Sequence, residues 1–220
     1  LAAGSHQIPY ADCSRCPLRL KPESCSLACV ELGRQQLKRS SAGSIAAIIV
    51  EPMQGTAGNV IPPPGFLRAV RELATELDAL LIADEMITGF GRTGTYWGIE
   101  HSGIEPDILT LGKQFGGGFP VSAILSRDDL VKAKPWSNPS GSSSSYGGNP
   151  LAAASAAAAL RIIDEERLVE NSRQMGENLL ARLRRLQDRH QVIGEVRGKG
   201  LFIGVELVEE TAARTPLSAN

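Results

Sequence analysis

Residues 79–126 read ALLIADEMITGFGRTGTYWGIEHSGIEPDILTLGKQFGGGFPVSAILS. Three short apolar runs lie in this stretch, at 79–85, 107–111 and 120–126. Each is bounded by glycine, proline or an ionisable residue, the pattern of short strands. Upstream, SIAAIIVEP (44–52) is a further apolar run, rich in β-branched residues and ending at Glu51-Pro52. Continuous apolar runs of this length suit strands covered on both faces, as in a parallel sheet. Between the first two strands, GFLRAVRELATELDA places Phe66, Leu67, Val70, Leu73, Ala74 and Leu77 on one helical face. Strand, helix and strand make a βαβ unit, whose crossover sets the strands parallel and right-handed.

Outward from this core the organisation is simpler. ACVELGRQQLKR has helical spacing before the first strand. KAKPWSNPSGSSSSYGGNP is a long Ser/Gly/Pro stretch, and its Trp136 and Tyr146 point to an ordered binding loop rather than a linker. NPLAAASAAAALRIIDEERL opens with an asparagine cap and proline, then runs as an Ala-rich helix. A second helix follows in VENSRQMGENLLARLRRLQDRH, and VIGEVRGKGLFIGVELV alternates as strands around a turn. The fold class is α/β: residues 1–165 form part of a large domain, 166–190 a connecting helix, and 191–220 the start of a smaller α+β domain.

With 220 residues, 42% hydrophobic and 21% charged, the chain has an ordinary globular composition. A formal net charge of −1 and the lack of a basic block argue against nucleic-acid or polybasic membrane binding. No apolar run approaches the roughly 20 residues of a membrane span, and the opening LAAGSHQIPYADC lacks the layout of a secretory signal, so a cytoplasmic location is expected. Cys13, Cys16, Cys25 and Cys29 form a C-x2-C-x8-C-x3-C pattern. Four thiolates could bind Zn²⁺, but the pairs are closely spaced and the second runs into a helix. Reduced thiols and no metal are the expectation.

Glu51, Asp84 and Lys113 share a position, at or just past the carboxyl end of a strand. In open α/β sheets ligands bind along that edge. A strand-end Asp often only caps the next segment, and a Lys-Gly pair is often a solvated turn. Three ionisable groups on one edge, each beside glycine-rich backbone, favour a site. A lysine between apolar strands loses hydration, which favours its neutral, nucleophilic amine. Such amines attack carbonyls to form Schiff bases.

The stretch LLIADEMITGFGRTGTYWGIEHSGIEPDILTLGKQFGGGFPVSAIL resembles the signature of class III pyridoxal-phosphate-dependent aminotransferases: apolar strand, Asp-Glu, Gly-Phe-Gly-Arg, Pro-Asp, lysine, Gly-Gly-x-Pro. VEPMQG, SSYGGNPLAAASAAAAL and VRGKGLFIGVEL look like segments of the same family, and HQIPYADCSRCPLRL looks like one found in ω-aminotransferases and related amino-acid racemases. The resemblance implies the large domain of the fold type I transferases, with pyridoxal 5'-phosphate as cofactor. Lys113 would carry it as a Schiff base and shuttle a proton, and Asp84 would pair with the ring nitrogen. Met86 would pack on the ring where the family often has Val. Ile87 replaces a common Gln that bonds the ring hydroxyl. Ser145 stands where Thr usually reaches the cofactor phosphate of a neighbouring subunit, implying a homodimer with shared sites. Glu51 would lie near the substrate, and Gly89, Gly91 and Arg92 would be structural, the arginine in an internal ion pair.

The resemblance also implies a chain nearly twice as long, with a phosphate-binding loop and a ring-stacking aromatic that do not occur before Glu51. These residues therefore read as the central catalytic part of an enzyme. The expected reaction moves an amino group from an amine or ω-amino acid to pyruvate or 2-oxoglutarate. Racemisation or epimerisation of an amino acid on the same site, or an incompetent fragment, are the alternatives.

Overall fold

The computed structural model describes residues 4–41, 43–141, 143–210 and 215–217. Helix α1 (Ala28–Ser40) leads into strand β1 (Ala47–Val50); helix α2 (Phe66–Glu76) then crosses to β2 (Leu80–Asp84), followed by β3 (Ile108–Leu111) and β4 (Ala123–Ser126). The sheet order is β1-β2-β3-β4, with the first three strands parallel and β4 antiparallel at the edge. The sheet is thus mostly parallel, as in the large domain of the fold type I transferases. The reversal after β3 uses Gly117 and Gly118, both at positive φ, where a glycine adopts the left-handed region without a Cβ penalty.

Register explains the core. Ile48 pairs with Leu81, Val50 with Ala83, and Ala83 with Leu109, and all of these side chains are buried. They meet the apolar face of α2, where Leu73 and Ala74 are fully covered and Phe66, Leu67 and Val70 nearly so. Leu73→Ala in such a site costs about 2–5 kcal/mol. Asp107 ties the start of β3 to this layer, accepting from Arg71 of α2 (2.7 Å), the Leu81 amide (2.7 Å) and exposed Arg127 (2.6 Å).

One expectation is corrected here. Continuous apolar runs suggest strands covered on both faces, but burial alternates along β1, β2 and β3. Ile49, on the face away from α2, is 62% exposed. The sequence reports that both faces are apolar; which of them is covered depends on what packs there.

Past β4, a single turn α3 (Asp128–Val131) precedes a long exposed stretch, then α4 (Pro150–Glu165) and α5 (Leu168–Gln187). The Asn149 side chain caps α4, accepting from the amides of Leu151 and Ala152, with proline at the first helical position. Strands β5 (Ile193–Lys199), β6 (Phe202–Glu210) and the short β7 (Thr215–Pro216) form a separate antiparallel sheet. Its hairpin tip presses onto the segment after β2: a Cβ on Gly200 would stand 2.4 Å from the Thr93 carbonyl carbon. The Arg92 carbonyl there accepts from the Leu201 amide and the Ser172 hydroxyl, both at 3.0 Å. The Arg92 side chain itself is exposed, with no ion pair among the described residues, contrary to the internal pair expected.

Candidate active site

Asp84 is the last residue of β2 and is half-buried. Its Oδ1 accepts from the Met86 amide at 3.0 Å, and among the described residues it forms no ion pair. In the β2–β3 register it lies opposite Thr110, whose hydroxyl oxygen is buried without a hydrogen-bond partner among the described residues. An orphaned buried hydroxyl costs about 1–3 kcal/mol.

Glu85 turns to the other side and is fully buried, as alternation after a strand requires. Its carboxylate accepts from the Thr88 hydroxyl, the Gly98 amide at 2.9 Å and the Ile99 amide at 2.8 Å. Burial pushes its carboxyl above the ordinary range even though those three donors pull it down. Sequence reading overlooked this residue. The available signal was a second carboxylate of opposite strand parity, set before a glycine-rich return.

Lys113 opens a tight turn, Lys113–Gly116, with φ at +48°. A non-glycine residue there is strained by about 1–3 kcal/mol and persists only where its surroundings hold it. The Gln114 side-chain amide donates to the Ile87 carbonyl at 2.9 Å and the Gly89 carbonyl at 2.8 Å. Phe115 stacks on Phe90 with centroids 5.1 Å apart and planes 6° from parallel. The Ser155 hydroxyl of α4 donates to the Gly116 carbonyl at 2.7 Å. Met86 fills the space a Cβ on Gly112 would need, its Cε 2.4 Å away from that point. The Lys113 side chain is exposed, so the burial expected from the flanking apolar runs is not found.

Glu51 follows β1 and accepts from the Gly55 amide at 3.0 Å. The Tyr10 hydroxyl donates to the carbonyls of Glu51 and Pro52, each at 3.2 Å. Burial, then the Glu51 charge, push the Tyr10 phenol up, keeping it a donor. Gly55 lies against Ile87, whose Cδ1 would be 2.3 Å from a Cβ there. A cleft of about 260 Å³ is lined by Tyr10, Ile49, Glu51, Gln54 and Asp84 among others. Glu51, Asp84, Met86, Ile87 and Lys113 thus gather on one sheet edge. Ser145 does not join them: it is exposed on the stretch between α3 and α4, and Ser142, three residues before it, lies outside the described residues.

The four cysteines are free and half-buried, and they line a small cavity of about 20 Å³ with Tyr10, Leu27 and Pro63. Burial, followed by the neighbouring sulfurs, pushes the Cys13 thiol up. Among the described residues no group of three or more His, Cys, Asp or Glu side chains is arranged to hold a metal ion. Nor is any described helix long and apolar enough to cross a membrane.

A family model for aminotransferase class-III matches residues 2–219, and the chain belongs to that family. A leucine/methionine racemase of Thermococcus litoralis is 39% identical over 93% of this chain and 46% of its own length. Ornithine aminotransferase 1 of Staphylococcus aureus is 46% identical over 81% of this chain and 44% of its own. A crystal structure of a Bacillus anthracis aminotransferase superposes with a TM-score of 0.85 at 34% identity, covering 96% of this chain and 48% of that one. The chain spans less than half the length of each of these proteins.

Proposed function

We propose that the chain is the cofactor-bearing part of a pyridoxal-phosphate-dependent enzyme that transfers an amino group from an amine or ω-amino acid to a 2-oxo acid such as pyruvate or 2-oxoglutarate. The observation that carries this reading is the placement of Asp84 and Lys113 on one edge of a parallel sheet in a class III chain. The residues suit the cofactor's ring. Among the described residues Asp84 has one carboxylate oxygen uncommitted and the orphaned Thr110 hydroxyl lies opposite it, and the Met86 thioether flanks the lysine turn.

When bound, pyridoxal phosphate supplies an electron-withdrawing ring that makes the substrate's Cα proton removable. Lys113 Nζ would hold the cofactor and, freed from it, would carry the Cα proton. Asp84 would present its other carboxylate oxygen to the ring nitrogen and would favour its protonated form. Met86 and Ile87 would supply apolar contact to the ring, and Ile87 has no side-chain donor to offer its hydroxyl. Glu51 borders the cleft where substrate enters and positions its polar end. Ser145 would donate to the cofactor phosphate of a neighbouring subunit in a homodimer with shared sites, in the cytoplasm.

Racemisation is the second reading, favoured by the racemase relative that matches 93% of the chain. Both reactions begin by removing the Cα proton and differ in where it returns. The test is to incubate the protein with cofactor and ornithine plus 2-oxoglutarate, or with leucine in deuterated water. Glutamate formation supports transfer. Deuterium at Cα with inverted configuration and no oxo acid supports racemisation. Bound cofactor with neither product means that the chain does not turn over by itself.

A further inference from the structure

We propose that Gln114 is a positioning residue that holds the Lys113 amine in register with Asp84; the proposal rests on the reading of Lys113 as the cofactor-bearing residue. Lys113 and Asp84 belong to different strands, and the turns that follow each must be tied together for their side chains to address one ring. Backbone pairing does this only as far as the Glu85 amide, which donates to the Thr110 carbonyl at 3.0 Å. Beyond that point the Gln114 side chain takes over. Both of its amide hydrogens are spent on the segment after β2, at Ile87 and Gly89. Its neighbour Phe115 adds the stack on Phe90 from the same segment.

The strain at Lys113 gives the clamp its purpose. With φ at +48° the residue sits in a conformation that its own sequence does not favour. Relaxation toward an ordinary turn would swing the Cα–Cβ direction of Lys113 and carry the amine away from the Asp84 side. Gln114 is the next residue, so the two hydrogen bonds act directly on the strained dihedral. Its reach also matters: asparagine is one methylene shorter, and glutamate has the same shape but, when ionised, no donors for two carbonyls.

The experiment compares Gln114→Glu and Gln114→Leu with the wild-type protein in two ways. The first readout is the fraction of borohydride-fixed pyridoxal phosphate found on Lys113 rather than on other lysines. The second needs no cofactor: amide hydrogen exchange of the peptide spanning 112–117. Both variants are expected to lose Lys113 selectivity by about tenfold or more, since misplacements of about 1 Å have effects of this size or larger. Both should exchange faster in that peptide while the thermal midpoint stays within a few degrees of wild type. In Gln114→Glu the selectivity, relative to wild type at the same pH, should recover in part as pH falls from about 8 to below about 5. The two facing carbonyls disfavour the ionised carboxyl, and the protonated one has a single hydrogen to donate. Wild-type selectivity in either variant would overturn the proposal. So would a loss that follows a collapse of the thermal midpoint and does not recover at low pH. If the wild-type protein itself places no label on Lys113, the cofactor reading fails; faster exchange in both variants would still support the clamp, and unchanged exchange would sink it too.

Discussion

Two glycine-rich segments flank the sheet, and they differ in almost every physical respect. The one after β2, residues 85–107, is pinned from several sides. Glu85 accepts from Thr88 close by and from Gly98 and Ile99 farther along, Gln114 grips the segment near Ile87, Phe90, Tyr96 and Trp97 pack ring against ring within it, and Phe115 stacks on Phe90 from beyond β3. The one between α3 and α4 bonds mainly within itself: the Asn138 amide to the Pro135 carbonyl, Gly141 to Asn138, Gly147 to Ser144. Its two aromatics find no such cover, Tyr146 being 83% exposed and Trp136 45%. Glycine content does not separate the segments. A buried acceptor facing backbone amides, and aromatics that meet one another, do.

The adjacent carboxylates Asp84 and Glu85 sharpen the contrast to a single step of the chain, and the largest expected effect lies there. Asp84→Asn should lower amino-group transfer by about 10²-fold or more, on the scale of a lost catalytic proton partner, with little change in the thermal midpoint. Glu85→Leu should do the reverse. It strands two buried amides and a hydroxyl, costing about 3 kcal/mol or more, which for a chain of this size lowers the thermal midpoint by about 6–12 °C. Calorimetry and a transfer assay on both variants would break the comparison if either residue behaved like its neighbour.

The pH dependence of stability follows from the same residue. Burial raises the Glu85 carboxyl in the folded protein above its value in the unfolded chain. The native state therefore holds the proton longer, so stability is full below the ordinary carboxyl range and falls as pH rises through the shifted value. Denaturant titrations across pH should show this decline in the wild type and a flatter profile in Glu85→Gln.

Smaller still is the expected effect of Asp107→Asn. Burial pushes the Asp107 carboxyl up, but hydrogen bonds from Arg71 and the Leu81 amide pull it below the usual range overall. Weakening these contacts should cost about 1–3 kcal/mol, read from the urea midpoint. Last, Ser145→Ala should change stability by less than about 0.5 kcal/mol, as for other exposed positions, while weakening cofactor retention on gel filtration. A stability loss there would show the exposed segment to be better anchored than its contacts suggest.

Much of this was legible in the sequence. The four strands, the helix between the first two and the Asn149 cap follow from periodicity and local chemistry, which act within a few residues. The alignment of Glu51, Asp84 and Lys113 on one edge follows from the strand ends. What escaped depends on contacts distant in sequence. Gln114 looks like any polar turn residue until its amide meets Ile87 and Gly89, 27 and 25 residues away. Glu85 looks like half of an acidic pair until Gly98 and Ile99 return to it. The open face of β1 and the exposure of Lys113 depend on what covers the sheet edge, and apolar patterning cannot say what does.

The central claim is that Lys113 is the residue that takes the cofactor. Incubating the protein with pyridoxal phosphate, reducing with borohydride and mapping the labelled peptide tests it most directly. The account predicts one dominant label on Lys113, with a visible absorbance band that vanishes in Lys113→Ala. Label scattered over other lysines, unchanged by that substitution, would contradict it.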